Sequence, residues 1–401
     1  MRPAAGEGGG EMREITRAEA VARRLAAHHL TAPLCGPGAV EQALPLGVQD
    51  SPPGMGEAAL FCRVGDLAPG WVEEAVASGA LCRCWSFRGA PYLFPAVQRG
   101  LFLGALCAQE GEEWIYAYPG FAPVAARLGL GADRLLPLLC QAAEELPAPV
   151  TGKAELDRQL ADRIAPRLPA GVREGWEGPS LYGPDQRLGE AAVSFLLRAC
   201  ALQGHLVLGP RQGRSPLFWP GNWGRERLAP ADPALLGAPG QRELARRFLA
   251  LYGPATEGEF AAFLGCCPRQ GRRLWALAEE VGEPVTFLGR PALALAEGDC
   301  PATPRGVQLL PPYDPYLYGG RRWLCEEGLA GQLWKTVGNP GALLRDGIAV
   351  GWWRGKTSGR NWSVRLMGSP LSPGEREAAV AWLERYATFR GLRLKAVAWP
   401  E

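Results

Sequence analysis

Lysine is scarce. The 401-residue chain has four, Lys153, Lys335, Lys356 and Lys395, so almost all of its 43 basic residues are arginine. Histidine is scarcer, with His28, His29 and His205. The 11 cysteines are scattered and never spaced CxxC; Cys82/Cys84 and Cys266/Cys267 are the closest pairs. That pattern excludes the usual structural zinc sites and leaves no metal or organic cofactor to expect. It fits reduced, mostly buried thiols in a cytoplasmic protein. No apolar run approaches the roughly 20 residues that span a bilayer, and no secretory leader is legible. Segment 1–12, "MRPAAGEGGGEM", is expected to be a disordered leader, with Met12 a possible true start. A charge surplus is also missing. The net charge of +2 directs attention from the total to local clusters.

What is present is apolar and periodic. At 47% hydrophobic, the chain can fill the cores of roughly two to four domains. "TRAEAVARRLAAHHL" opens with Thr16 and carries Glu19 three residues on, so a capped helix is predicted over 16–30. "GEAALFCRV" and "APGWVEEAVASG" read as helices, and "ALCRCWSFRGAPYLFP" as two strands around a turn. Helices at 131–146, at 151–165 and up to Gly204 then precede the hairpin "HLVLGPRQGRSPLFWP". The order recurs from "RELARRFLALYG". Thr256 and Glu259 make a capping box, "PRQGRRLWALAEEV" is a helix, and "VTFLGRPALALAE" is a hairpin. Helices followed by a ribbon, three times over, is the order of tandem winged helix-turn-helix units. Beyond residue 301 strand-like segments surround one helix. The expected fold is therefore α+β. It has winged helices over 13–118, 119–235 and 236–300, then an antiparallel β-barrel-like domain over 301–401.

Four segments carry a resemblance. They are "VQDSPPGMGEAALFCR" ending at Arg63, "FRGAPYLFP", "RRFLALYGPATEGEFAAFLG", and "LLPPYDPYLYG" followed by "DGIAVGWWR". Together they resemble the tandem winged-helix family that includes the bacterial DNA glycosylases which unhook interstrand crosslinks. The resemblance covers most of the chain from about residue 13. It implies three winged helices around a cleft and double-stranded DNA as the partner. In the glycosylases the first segment holds Gln-x-Gln or Gln-x-Asp. Here the register from Arg63 gives Gln49 and then Ser51, with Asp50 on the middle position. Ala90 and Tyr92 likewise stand where the family's ribbon has threonine and histidine.

The chemistry of such a site is modest. An N7-alkylated guanine is already cationic and leaves readily, so the site needs mainly to hold a water against the sugar carbon. An amide oxygen orients that water; a carboxylate could also take its proton. In an extended strand Gln49 and Ser51 share a face and Asp50 points away. The candidate catalytic residues are Gln49, Ser51 and Asp50. The plainer alternative is that Ser51 or Asp50 caps the following helix.

Basic clusters supply candidate DNA contacts. Arg211 and Arg214 sit on an expected wing tip. Arg269, Arg272 and Arg273 open an expected recognition helix. Arg354, Lys356 and Arg360 lie beside Trp352 and Trp353 at a hairpin end, with Trp353 a candidate for the core. Arg88 is either a DNA contact or paired with an acid inside the first unit. The leading expectation is a monomeric, glycosylase-like DNA-binding protein acting on N7-alkylated purines or crosslinks. The rivals are a non-catalytic DNA binder, of regulator or lesion-recognition type, and a scaffold that no longer binds DNA.

Overall fold

A computed structural model describes residues 12–116, 118–183, 185–213, 215–296 and 305–399. The expected leader, apart from Met12, and Arg214 lie outside the described residues. The chain opens with β1 (Glu14–Ile15) and α1 (Arg17–Ala27). Helix α1 is shorter than predicted because His28 closes it and His29 turns to a φ of +53°. Thr16 accepts from the Glu19 amide, and the Glu19 carboxylate, which also interacts with the Thr16 backbone, pairs with Arg13 and Arg23.

One order of elements then occurs three times: helix, short extended segment, helices, hairpin. The first copy is α2 (Ala39–Gln42), β2 (Val48–Gln49), α3 (Met55–Phe61), α4 (Trp71–Ala77), β3 (Leu81–Trp85) and β4 (Pro91–Pro95). After α5 (Arg99–Phe102) and α6 (Tyr118–Leu128) comes the second. It is α7 (Ala132–Glu144), β5 (Val150–Thr151), α8 (Lys153–Ile164), α9 (Ala170–Glu177), α10 (Leu188–Leu202), β6 (Leu206–Leu208) and β7 (Leu217–Pro220). A linking helix, α11 (Gly221–Arg227), leads to the third: α12 (Gly237–Tyr252), α13 (Glu257–Leu264), α14 (Pro268–Val281), β8 (Gly282–Phe287) and β9 (Arg290–Leu295). The short segment pairs antiparallel with the last strand of its own copy each time: β2 with β4, β5 with β7, and the single residue Ala255 with Leu293 of β9.

The copies do not remain separate. The first two ribbons join through Arg83 and Leu208 into one six-stranded sheet, β2-β4-β3-β6-β7-β5. The N-terminal strand β1 adds to the third ribbon, parallel to β8. One continuous apolar core runs through all three, from Phe94 and Phe102 through Leu156 and Trp176 to Phe248 and Phe260.

The C-terminal sheet holds β10 (Val307–Leu310), β11 (Gly341–Arg345), β12 (Ile348–Ser358), β13 (Asn361–Gly368) and β14 (Arg393–Ala398) in that order, with the short α15 (Ala330–Leu333) between β10 and β11. It is an open half-barrel rather than an all-antiparallel barrel. β14 runs parallel to β13 because the long helix α16 (Pro373–Phe389) carries the chain back before it pairs. Trp353 is core as expected, packed edge-on against Trp362 and donating to the Leu310 carbonyl.

Candidate functional site

Strand β2 is two residues long, yet it sends neighbouring side chains to different places. Asp50 is 1% exposed. Its Oδ2 pairs with Arg83 Nε at 2.9 Å and with Arg211 Nη2 at 2.8 Å. Its Oδ1 accepts from the amides of Gly54 and Gly56, the first turn of α3. A Cβ on Gly56 would meet the Leu93 side chain at 2.5 Å, so glycine lets α3 approach the sheet without displacing it. Asp50 is thus the helix cap of the plainer alternative, enlarged into a buried ion-pair node. Glu73 completes it on Arg83 and Arg211. Burial alone would raise the Glu73 pKa, but hydrogen bonding and charge from the two arginines hold it below the usual carboxylate range.

Gln49 is only half-buried. Its Nε2 donates to the Ser51 carbonyl at 2.7 Å, and its Oε1 lies 2.8 Å from the Tyr318 hydroxyl, whose single proton it shares with the Tyr313 carbonyl at 2.9 Å. Burial pushes the Tyr318 phenol well above its ordinary range, so it stays protonated and remains a donor. The amide is therefore fixed at both ends, with one Oε1 lone pair unused among the described residues. Ser51 is half-buried ahead of a cis bond to Pro52.

The four signature segments meet here. Arg63, from the first, makes a bidentate pair with Asp314 of the fourth at 2.7 and 2.8 Å, both side chains fully buried. Arg88, from the second, does not pair with an acid as one expectation had it. It donates to the Phe263 carbonyl of the third segment and to the Tyr92 hydroxyl, and stacks 4.2 Å from the Tyr318 ring. The reason is local. Arg88 sits at a φ of +56° in the tip between β3 and β4, which turns it out of the first unit toward the third. Tyr252, also of the third segment, donates to the Pro315 carbonyl.

Arg88 and Tyr318 line a cleft of about 810 Å³. Thr256 and Glu259, at the start of α13, and Arg290, Arg321 and Arg322 line it too. Glu259 is the only acid among the described lining residues, and it is occupied by its capping box with Thr256. The cleft is therefore basic. Tyr318 touches both Gln49 and this cleft, yet composition and spacing gave it no role. Arg290, Arg321 and Arg322 were also missed, because they are single or paired arginines outside the basic clusters.

The arginines singled out from the sequence divide. Arg211 folds back onto Asp50 and Glu73 instead of projecting from a wing tip. Arg273 is bound bidentate to Glu112, whose own carboxylate is 2% exposed. Arg269 and Arg354 are exposed and donate to the carbonyls of Gly111 and Gly338. Arg272, Lys356 and Arg360 are exposed. These clusters do not converge on Gln49; of the predicted basic residues that are described, Arg88 alone lines the cleft that Tyr318 joins to it. Among the described residues no group of three metal-ligating side chains occurs, and no helix is long and apolar enough to cross a membrane.

Comparison with known proteins agrees with this convergence. The chain is similar over 96% of its length to a solved Streptomyces sahachiroi DNA glycosylase AlkZ, all of which is covered, with a TM-score of 0.70 at 19% identity. That likeness shows the fold. No curated protein sequence matches. A family model described as DNA glycosylase AlkZ-like matches residues 44–389, which span all four signature segments. The chain belongs to the AlkZ-like DNA glycosylase family.

Proposed function

We propose that the protein hydrolyses the N-glycosidic bond of N7-alkylated purines in double-stranded DNA, interstrand crosslinks among them, and that Gln49 orients the attacking water. The observation that supports this most is the fixed Gln49 amide, held by Tyr318 and the Ser51 carbonyl with Oε1 still able to accept. A preset acceptor costs no reorganisation when the cationic base departs. The amide does not need to remove the proton fully, because the leaving group is already activated. The three repeated units serve as winged helices with boundaries near 118, 235 and 300, and duplex DNA lies against the side on which the basic cleft opens. Arg272, Lys356 and Arg360 are exposed and suited to phosphate contact from outside the cleft.

A second reading has its own support. Asp50 of the motif and Asp314, four residues before Tyr318, are both locked in buried ion pairs. That leaves no base beside Gln49 and favours a non-catalytic lesion binder. Single-turnover release of free base from a duplex carrying N7-methylguanine separates the two. For a glycosylase, Gln49→Ala lowers release on the order of 100-fold, the low end for a positioned water-orienting group, with duplex affinity nearly unchanged. Ser51→Asp, which supplies a carboxylate on the Gln49 face, raises it. No release from the parent and none from Ser51→Asp leaves the lesion binder.

A further inference from the structure

Tyr318 has one hydroxyl proton and two acceptors for it. Gln49 Oε1 lies 2.8 Å away and the Tyr313 carbonyl 2.9 Å. The bond to Tyr313 folds the segment back on itself and fixes where the phenol oxygen sits. Tyr313 reaches that position at a φ of +63°, in the left-handed region that a bulky side chain rarely adopts. Such a conformation persists only where its surroundings hold it.

The hold comes from outside the segment. The Tyr313 hydroxyl accepts from the amides of Gly338 and Asn339 at 3.1 and 3.3 Å. That turn is itself braced. Asn339 Oδ1 accepts from the Lys335 amide at 2.8 Å, and Arg354 donates to the Gly338 carbonyl at 2.6 Å. Its tip adds nothing to the core, since Val337 is 82% exposed. The rest of the segment is pinned one carbonyl at a time. Tyr252 holds that of Pro315, Arg24 that of Tyr316, and Trp334 that of Leu317. So many fixed points on so short a stretch leave the Tyr318 phenol little freedom. Among the described residues, Tyr313 supplies the hydrogen bond to its oxygen other than that of Gln49.

We propose that Tyr313 is a positioning residue for base release: braced by the Gly338–Asn339 turn, its carbonyl sets the Tyr318 hydroxyl, and that hydroxyl sets the Gln49 amide. This rests on the reading of Gln49 as the group that orients the attacking water. Among the described residues Tyr313 makes no hydrogen bond to Gln49 itself. It acts through the direction of one O–H bond, so it has an effect only while residue 318 carries a hydroxyl. Without the turn, the Tyr313 backbone relaxes out of the left-handed region, its carbonyl moves, and the phenol no longer points the amide.

A double-mutant cycle on the full chain tests this, read as single-turnover release of free base from a duplex carrying N7-methylguanine. Tyr313→Phe keeps the ring and removes the two bonds to the turn. Its release rate falls about 2- to 5-fold, no further than that of Tyr318→Phe, because one hydrogen bond is misaligned and not lost. Duplex affinity is unchanged. In a Tyr318→Phe background the same substitution has no further effect. A purely structural role lowers the rate by the same factor in both backgrounds, and that result overturns the proposal. An undiminished rate in either single variant, or a loss confined to affinity, overturns it too. These outcomes leave the reading of Gln49 intact so long as Gln49→Ala lowers release. A parent that releases no base removes that reading and the positioning role together.

Discussion

Gln49 and Asp50 are adjacent in one strand and belong to different regions of the molecule. Asp50 lies in a node where every charge has a partner: Arg83, Arg211 and Glu73, with two helix amides on the remaining lone pairs. Gln49 faces a region where charge is left over, reached through Tyr318 and lined by Arg88, Arg290, Arg321 and Arg322. The contrast is instructive because both regions are rich in arginine. Arginine count does not distinguish a structural clasp from a ligand surface; the presence of a facing carboxylate does. A fully paired buried network holds elements in register. An unpaired cationic cleft is costly unless an anion comes to it.

That comparison can be broken most strongly at its buried side. Asp50→Ala leaves Arg83 buried with no acid but the half-exposed Glu73, and is expected to cost about 3–5 kcal/mol, the loss typical of a broken buried pair. Gln49→Ala should cost under about 1.5 kcal/mol, one or two ordinary hydrogen bonds. Denaturant unfolding of both variants checks this. Equal losses would mean that the two residues are not in different regions at all.

A pH experiment probes another buried part of the scaffold. His28 is buried between Tyr252 and Tyr316. Burial, then the charges of Arg63 and Arg24, push its pKa well below 6.5. The unfolded chain therefore binds a proton that the folded chain refuses. Stability falls as pH drops below about 6.5, by up to about 1.4 kcal/mol per pH unit. His28→Met should flatten the profile between about pH 6.5 and 5. An unchanged slope in that window assigns the acid sensitivity to other groups.

At the open side, Tyr318→Phe removes the donor to Gln49 but keeps the ring under Arg88. Base release should fall about 2- to 10-fold, the worth of one hydrogen bond, with little change in the thermal midpoint. An undiminished rate would show that Gln49 needs no alignment. The smallest effect concerns salt. Arg272→Ala, at an exposed arginine, should reduce the slope of log affinity against log salt by about 0.9. Arg273→Ala should change it less, because Glu112 already holds that guanidinium. Similar slopes for the two would mean that the Glu112 pair opens on DNA.

Much of the local structure was legible. Periodicity and caps located α3, α4, α7, α8, α13 and α14, since amphipathic spacing and a capping box act within one or two turns. The connecting helices α5, α6, α9 and α11 were not read. They are short or proline-broken pieces whose form is set by packing, with Pro123 inside α6 an example. The strand alternation also held for residues 49 and 50: Asp50 does face away from Gln49, as a period of two requires. What Asp50 meets there is non-local. Arg83 and Arg211 are 33 and 161 positions distant, and no spacing rule reaches across the joined sheet. The acid partner expected for Arg88 failed for the same reason, because beside the nearby Tyr92 its partners come from the third unit and the C-terminal loop.

The sequence by itself determined the capped and periodic elements and the family-bearing segments, because these depend on residue type at short range. Only the tertiary structure decided which arginines are spent and which are free. Asp314 claims Arg63, Asp50 claims Arg83 and Arg211, and Glu112 claims Arg273, each through a contact between distant segments. Pairing is a property of distance in space. A chain with nearly equal numbers of acids and bases carries no record of which charges will meet until the core has closed around them.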